Sequence, residues 1–182
     1  MLRDPIALLI DHAFLEKKAA NNALELLTRW PGEWVEGWTE TMTSVARDEA
    51  AHLAQVTRIL VKRGGRLERI HKNPYANALR LLVRKGGPGE VMDRLLVSAL
   101  IEIRSCERFA VLSEASEDEE LKAFYRALYS SEMGHYKVFL RLARKVSGKA
   151  AVESRWQEML AAEARILDRQ EAGPRIQSGV VL

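Results

Sequence analysis

Apolar residues recur every three or four positions over most of the chain, which is the spacing of one face of an α-helix. One such face comprises Leu9, Ala13, Ala20, Ala23 and Leu27. Strict alternation of apolar and polar residues, the pattern of a half-buried strand, is scarce. Glycine and proline cluster at a few points, so the segments between them are long. This pattern predicts an all-α protein.

The helix-breaking residues divide the pattern into six predicted helices. Asp4 and Pro5 are typical of a helix start, and Trp30-Pro31-Gly32 is typical of a stop. The predicted helices cover residues 5–28, 33–63, 75–85, 88–114, 116–146 and 149–172. Five are long, which is four for a bundle and one more at the C-terminal end, and the connection from residue 63 to 88 is long enough to cross a bundle. The pattern therefore favours a ferritin-like four-helix bundle with a crossover connection and an extra C-terminal helix.

A chain of 182 residues is long enough for one domain with a sizeable core. The breakers and the helical pattern predict a single domain over residues 1–172. Residues 173–182 follow Gly173-Pro174 and are predicted to form a flexible C-terminal tail.

Two Glu-x-x-His motifs interrupt the apolar faces of predicted helices. The spacing puts the carboxylate and the imidazole of each motif one turn apart on the same helix face. A single glutamate precedes each motif by about thirty residues, on the preceding long helix. The six residues are Glu16, Glu49, His52, Glu102, Glu132 and His135.

Bare carboxylates on the apolar face of a helix would be costly to bury, and two divalent cations would neutralise four of them. Two Glu-x-x-His motifs plus one glutamate from each of two further helices form the ligand set of a carboxylate-bridged di-iron or di-manganese site. Oxygen and imidazole ligands suit either metal, and iron is the preferred interpretation. Glu102 is preferred over Glu107, which lies on a different helix face.

A third copy of the motif, Glu68 with His71, is interpreted as a coincidence, because the breakers around it leave no long helix to hold it. His12 does not have a glutamate three residues before it. Cys106 is the only cysteine, which excludes a cysteine-rich iron site within one chain, and its predicted role is packing. Asp11 and Asp48 are candidates to accept a hydrogen bond from a ligating histidine.

The net charge is only +3, with a pI near 9.1, but the basic residues are unevenly distributed. Eight of them lie in or beside the predicted crossover, and only Glu68 opposes them in this segment. A basic stretch can contact phosphate, although solvated helix faces also carry such charge. These eight residues are Lys62, Arg63, Arg66, Arg69, Lys72, Arg80, Arg84 and Lys85.

No apolar run is long enough for a membrane span, and the first residues do not resemble a signal peptide. The sequence therefore predicts a cytoplasmic protein that has no membrane partner.

Four segments around these motifs resemble the tRNA 2-methylthio-N6-isopentenyladenosine hydroxylase family. They are Asp11-His-Ala-Phe-Leu-Glu-Lys-Lys-Ala-Ala20, Arg47-Asp-Glu-Ala-Ala-His52, Arg104-Ser-Cys-Glu-Arg-Phe109 and Ser131-Glu-Met-Gly-His135. The resemblance covers nearly the whole chain. It is more specific than the ligand pattern, which many ferritin-like proteins share.

The resemblance implies an O2-dependent monooxygenase with two non-haem iron ions. Its substrate would be the isopentenyl group on adenosine 37 of tRNA, with O2 as co-substrate and electrons from an external donor. The family's ligand positions fall on all six residues named above. The partners would be a tRNA anticodon stem-loop carrying the prenylated adenosine and an unidentified reductase or electron carrier. The eight basic residues would contact the tRNA backbone.

Other di-iron classes share this ligand pattern. Iron storage with ferroxidase activity, and a quinone-type hydroxylase at a membrane surface, remain alternatives. A ribonucleotide reductase radical subunit is disfavoured, because Val56 stands where a tyrosine would be needed about one turn after His52. The sequence does not identify the electron donor.

Overall fold

The computed structural model describes residues 2–31, 33–68, 70–87 and 89–178. This part of the chain contains six helices and no strand, which confirms the all-α prediction. The helices are α1 (Pro5–Arg29), α2 (Trp38–Lys62), α3 (Pro74–Arg80), α4 (Glu90–Ala115), α5 (Glu119–Ser147) and α6 (Lys149–Leu167).

The chain divides into two compact units. The N-terminal unit comprises Met1–Lys72 and Gly173–Ile176, and the C-terminal unit comprises Asn73–Ala172 and Gln177–Leu182. The assignment of residues 1–172 to a single domain stays a prediction.

The N-terminal unit is a hairpin of α1 and α2. The Trp38 indole at the start of α2 donates a hydrogen bond to the Leu26 carbonyl near the end of α1, at 3.2 Å. The two helices therefore run in opposite directions. Buried apolar residues on their facing sides, such as Leu9 on α1 with Met42 and Leu60 on α2, form the core.

Local signals account for three of the four ends of these helices. Asp4 caps α1 by accepting a hydrogen bond from the Ala7 N–H, as predicted. Helix α2 begins at Trp38 and not at residue 33, because Gly37 before it adopts a left-handed backbone with φ of 75°. It ends at Lys62, ahead of Gly64, whose φ of 78° also suits glycine.

The C-terminal unit packs α4 against α5, and α6 contacts α3, α4 and α5. Its core includes Leu95, Phe109, Tyr125 and Phe139, all buried. Helix α5 starts at Glu119 with Asp118 as its cap, since Asp118 accepts the Leu121 N–H. This start lies three residues after the predicted one.

A buried polar cluster connects three helices of the C-terminal unit. The Tyr75 hydroxyl on α3 donates to the Glu163 carboxylate on α6 at 2.6 Å, and Arg104 on α4 donates to the same oxygen at 3.2 Å. Burial first, and then the neighbouring Glu163, raises the pKa of Tyr75 well above its ordinary value. These interactions hold α3 and α6 against α4.

The predicted helix over residues 75–85 ends at Arg80, because a buried carboxylate organises the residues that follow. Asp93 on α4 is fully buried and accepts hydrogen bonds from the backbone and the guanidinium of Arg84. Arg155 on α6 also donates to Asp93 and to the Leu82 carbonyl. Arg84 is therefore engaged in an ion pair within the protein.

The segment after α6 is held by specific contacts as far as residue 178. The Ile176 N–H donates to the Asp11 carboxylate at 2.8 Å, and the Asn73 amide donates to the Gln177 side chain at 2.7 Å. Ile176, Gln177 and Ser178 are buried, in contrast to the predicted flexible tail. Residues 179–182 of that tail lie outside the described residues. Within the described chain, no helix combines the length and the apolar character that crossing a membrane requires.

Candidate metal centre

The N-terminal unit brings Glu16, Glu49 and His52 together, and we call this set the N-terminal triad. Glu16 extends from α1, and Glu49 and His52 extend from adjacent turns of α2. His52 Nδ1 lies 3.5 Å from Glu16 Oε2 and 3.7 Å from Glu49 Oε2. One ligand atom of each residue lies within 4.8 Å of the others, and all three side chains are buried.

The C-terminal unit contains an equivalent set, the C-terminal triad of Glu102, Glu132 and His135. Glu102 extends from α4, and the other two extend from adjacent turns of α5. His135 Nδ1 lies 3.4 Å from Glu132 Oε2. Ligand atoms of the three residues lie within 4.8 Å of one another, and the side chains are buried.

Each triad is suited to a metal ion by its chemistry. Two carboxylates and one imidazole converge in a buried setting, where two negative charges at this distance repel and are poorly solvated. A divalent cation removes this conflict, and oxygen with imidazole nitrogen is a donor set for iron or manganese. The residues present therefore fit a metal centre.

His12 is a residue of the site that the sequence analysis missed. It is fully buried on α1, and its Nε2 lies 2.6 Å from Glu16 Oε1. The carboxylate can only accept, so Nε2 donates. Glu16 thus uses one oxygen toward His12 and directs the other toward His52. The available signal was the four-residue spacing of His12 and Glu16, which places them on one helix face.

The third Glu-x-x-His copy lies apart from both triads. His71 Nε2 lies 2.7 Å from the Asp11 carboxylate, and the imidazole stacks on Phe14 with ring centroids 4.8 Å apart. Asp11 therefore has His71 as its partner and not a histidine of a triad. The second candidate for that role, Asp48, accepts hydrogen bonds from Arg47.

Cys106 packs as predicted from its position. It is buried, and its thiol lies 3.7 Å from the Tyr129 carbonyl. Burial first, and then the nearby Glu132 carboxylate, raises the pKa of Cys106 to about 12. A thiol with this pKa stays protonated at neutral pH, which disfavours a nucleophilic role.

The basic residues assigned to tRNA are distributed over both units. Arg63 is half-buried, the other described members are exposed, and Arg69 lies outside the described residues. Arg84 is paired with Asp93, which makes it the least suited to phosphate. In the N-terminal unit lie Lys62, Arg63, Arg66 and Lys72, and in the C-terminal unit lie Arg80, Arg84 and Lys85.

Helical hairpins that each carry a buried triad of two glutamates and one histidine define the ferritin-like class of metalloproteins. A solved structure agrees with this class. It is described as protein 43 with aldehyde deformylating oxygenase activity from Synechococcus, and it matches with a TM-score of 0.89 and 34% sequence identity. The match covers 96% of this chain and 88% of that one. The ferritin-like fold class predicted from the sequence is confirmed.

The chain belongs to the family described as tRNA-(MS[2]IO[6]A)-hydroxylase (MiaE), whose model matches residues 3–178. A relative from Pseudomonas putida, tRNA 2-(methylsulfanyl)-N(6)-isopentenyladenosine(37) hydroxylase, is 38% identical over 98% of this chain and 86% of its own. A relative of the same name from Salmonella typhimurium is 30% identical over 93% of this chain and 61% of its own. The predicted family is confirmed, and the chain is accordingly an enzyme of the hydroxylase type.

Proposed function

We propose that this chain is an O2-dependent di-iron monooxygenase that hydroxylates the isopentenyl group of modified adenosine 37 in tRNA. The observation that carries the proposal is the pair of buried triads, each with the same donor set, in a chain of the tRNA hydroxylase family. Membership alone gives the reaction type, and the triads supply residues able to hold the metals that such a reaction needs.

We infer that the six triad residues, Glu16, Glu49, His52, Glu102, Glu132 and His135, are the iron ligands. Four carboxylates neutralise two divalent cations, and one histidine is available to each metal. When bound, the two irons would supply the chemistry that uses O2, two external electrons and two protons to insert one oxygen atom into a C–H bond, with the second oxygen atom leaving as water. The electrons require a reductase or electron carrier as a partner.

The residues beside the C-terminal triad suit an apolar substrate group. Cys106 and Phe109 follow Glu102 at helical spacing, and Leu128 and Tyr125 precede Glu132 at the same spacing on α5. All four are buried. Such surroundings exclude water and favour a prenyl chain, while the polar part of a nucleoside would be bound elsewhere.

Turnover of a defined substrate tests the proposal directly. Purified protein loaded with iron is given a reductant, O2 and an anticodon stem-loop carrying the prenylated adenosine, and the nucleosides are analysed by mass spectrometry. We expect a product heavier by one oxygen atom. A sample that holds about two irons per chain but forms no such product would exclude the hydroxylase function. Size-exclusion chromatography then tests the iron-storage alternative, because storage requires many chains to assemble into a large shell.

His12 provides a test of the metal site that does not depend on turnover. We expect His12→Leu to weaken binding of Co²⁺ to the metal-free protein about tenfold or more, because groups that orient a ligand typically contribute 10- to 100-fold to metal affinity. His12→Gln keeps a donor and should restore most of the affinity. Binding is followed by the visible absorption of Co²⁺.

The matched control is His71→Gln, which changes a histidine of the same unit that contacts neither triad. Equal Co²⁺ affinity in His12→Leu and the wild type would show that His12 does not position Glu16.

A further inference from the structure

The loop that follows α2, residues 64–72, is anchored at its start by close backbone packing. The Gly65 N–H donates to the Leu60 carbonyl at 2.9 Å. A Cβ atom on Gly65 would lie 2.2 Å from Leu60 Cδ1, so only glycine allows this approach without a shift of Leu60. The direction in which the chain leaves α2 is therefore determined by Gly64 and Gly65.

The same loop is anchored near its end by His71. The Lys18 ammonium donates to His71 Nδ1 at 2.9 Å, so Nε2 carries the proton that is donated to Asp11. The ring also stacks on Phe14 with an angle of 2° between the planes. Three side chains of α1 hold one imidazole, and the described residues of the loop, 64–68 and 70–72, are positioned without forming a helix.

Between these anchors the loop directs apolar and basic side chains to solvent. Ile70 is 76% exposed and Leu67 is 45% exposed, and Val61 at the end of α2 is 67% exposed. Arg66 and Lys72 are exposed too, and neither forms an ion pair with another residue of the described chain. We call the set Val61, Lys62, Arg66, Leu67, Ile70 and Lys72 the apolar–basic surface.

The composition of this surface defines the chemistry of its partner. Exposed cations favour a polyanion, and three exposed aliphatic side chains within ten residues of the chain favour a partner with apolar faces. Unpaired nucleotides combine both, because their phosphates are charged and their base faces are accessible, whereas a duplex hides the base faces. A membrane surface is disfavoured because residues that bind it usually lie on an amphipathic helix, and Leu67 and Ile70 lie outside any helix.

We propose that the apolar–basic surface binds unpaired nucleotides of the tRNA anticodon loop, with Leu67 and Ile70 against base faces and the three cations on phosphates. This inference rests on the proposed function and adds to it a contact that distinguishes unpaired from paired nucleotides.

The test is the dissociation constant of an anticodon stem-loop, measured at several salt concentrations by fluorescence anisotropy. We expect Leu67→Gln and Ile70→Gln each to weaken binding about tenfold, the scale of burying one aliphatic side chain, with the salt dependence unchanged. Replacing Lys62, Arg66 and Lys72 together by Gln should instead reduce the slope of log affinity against log salt by about 2.

The matched control is Leu24→Gln, which changes an aliphatic residue of the same unit that is 48% exposed on α1; its affinity should equal that of the wild type. Thermal denaturation checks that all variants are folded.

The outcomes separate this inference from the proposed function. Wild-type protein that neither binds nor hydroxylates the stem-loop contradicts the proposed function. Wild-type protein that does both, with unchanged affinity in Leu67→Gln and Ile70→Gln, overturns the inference alone. If Leu67→Gln and Ile70→Gln weaken binding of a fully paired RNA of the same length by the same factor, the inference is also overturned. Binding of wild type, but not of Ile70→Gln, to vesicles of anionic phospholipid would assign the surface to membranes instead.

Discussion

Glu102→Ala should lose iron and turnover, whereas Glu107→Ala should keep both. Glu102 is buried and belongs to the C-terminal triad. Glu107 lies on the same helix, but its side chain is 56% exposed and is paired with Arg104. Removing Glu102 leaves only one carboxylate, Glu132, beside His135 in the triad. A single carboxylate neutralises a divalent cation less completely than two. We expect turnover to fall about 100- to 1000-fold, the cost of losing a preorganised electrostatic group.

Two measurements check this pair of variants: iron per chain by elemental analysis, and hydroxylated nucleoside by mass spectrometry. Both variants remove a glutamate from α4, so a general effect on folding or on net charge would appear in both. Full iron content in Glu102→Ala would show that Glu102 is not a ligand. A loss of iron in Glu107→Ala would show that the ligand had been assigned to the wrong glutamate.

Asp93→Asn should destabilise the protein by about 2 to 3 kcal/mol at neutral pH. The carboxylate is fully buried and is hydrogen-bonded to Arg84 and Arg155. An amide keeps one acceptor oxygen but leaves the two cations without a counter-charge. Arg84 is half-exposed, so water can solvate its guanidinium. The Arg155 side chain is only 17% exposed, and its loss of a counter-charge accounts for most of the destabilisation. Urea unfolding gives the free energy of unfolding.

The pH dependence of this effect has a defined sign. Burial by itself raises the pKa of Asp93, but hydrogen bonds from Arg84 and Arg155 outweigh it and hold the pKa below its ordinary value. A lowered carboxylate pKa contributes stability that is complete above the unfolded pKa of about 4 and is lost as pH falls through the folded pKa. The difference between wild type and Asp93→Asn should therefore narrow below about pH 4.

Asp168→Asn is the matched control, because Asp168 is an exposed carboxylate in the same unit; it should change stability little. Equal stability of Asp93→Asn and wild type at pH 7, or a difference that widens in acid, would contradict the role assigned to the Asp93 carboxylate.

The Arg84–Asp93 ion pair also changes which basic residues are the better candidates to contact tRNA phosphates. By sequence alone, Arg84 and Lys72 are equivalent positive charges. In the structure Arg84 forms an ion pair with the buried Asp93, whereas Lys72 has no such partner in the described chain. A cation with an internal partner must give up that pair to bind phosphate. We therefore expect tRNA contacts from Lys72 and Arg66 before Arg84, and the loop after α2 becomes the better candidate.

One misplaced helix end has its cause in tertiary contacts, which the pattern of apolar residues does not reveal. The sequence predicts that helix α3 reaches residue 85, directly before the helix-breaking pair Gly86-Gly87. The chain instead leaves the helix after Arg80, where Asp93 and Arg155 hold the following residues. A propensity of a few tenths of a kcal/mol per residue is smaller than the hydrogen bonds made by these buried charges.

The sequence by itself determined the all-α class, the two Glu-x-x-His faces and the grouping of each with its upstream glutamate. These follow from helix periodicity, which is local, and from the cost of leaving buried carboxylates unneutralised. Only the tertiary structure decided that His71 is held by Asp11 and lies apart from both triads, and that Ile176 is anchored to Asp11. Which polar residues pair across large sequence separations depends on how the helices and loops pack together. Residue spacing along the chain does not specify that packing.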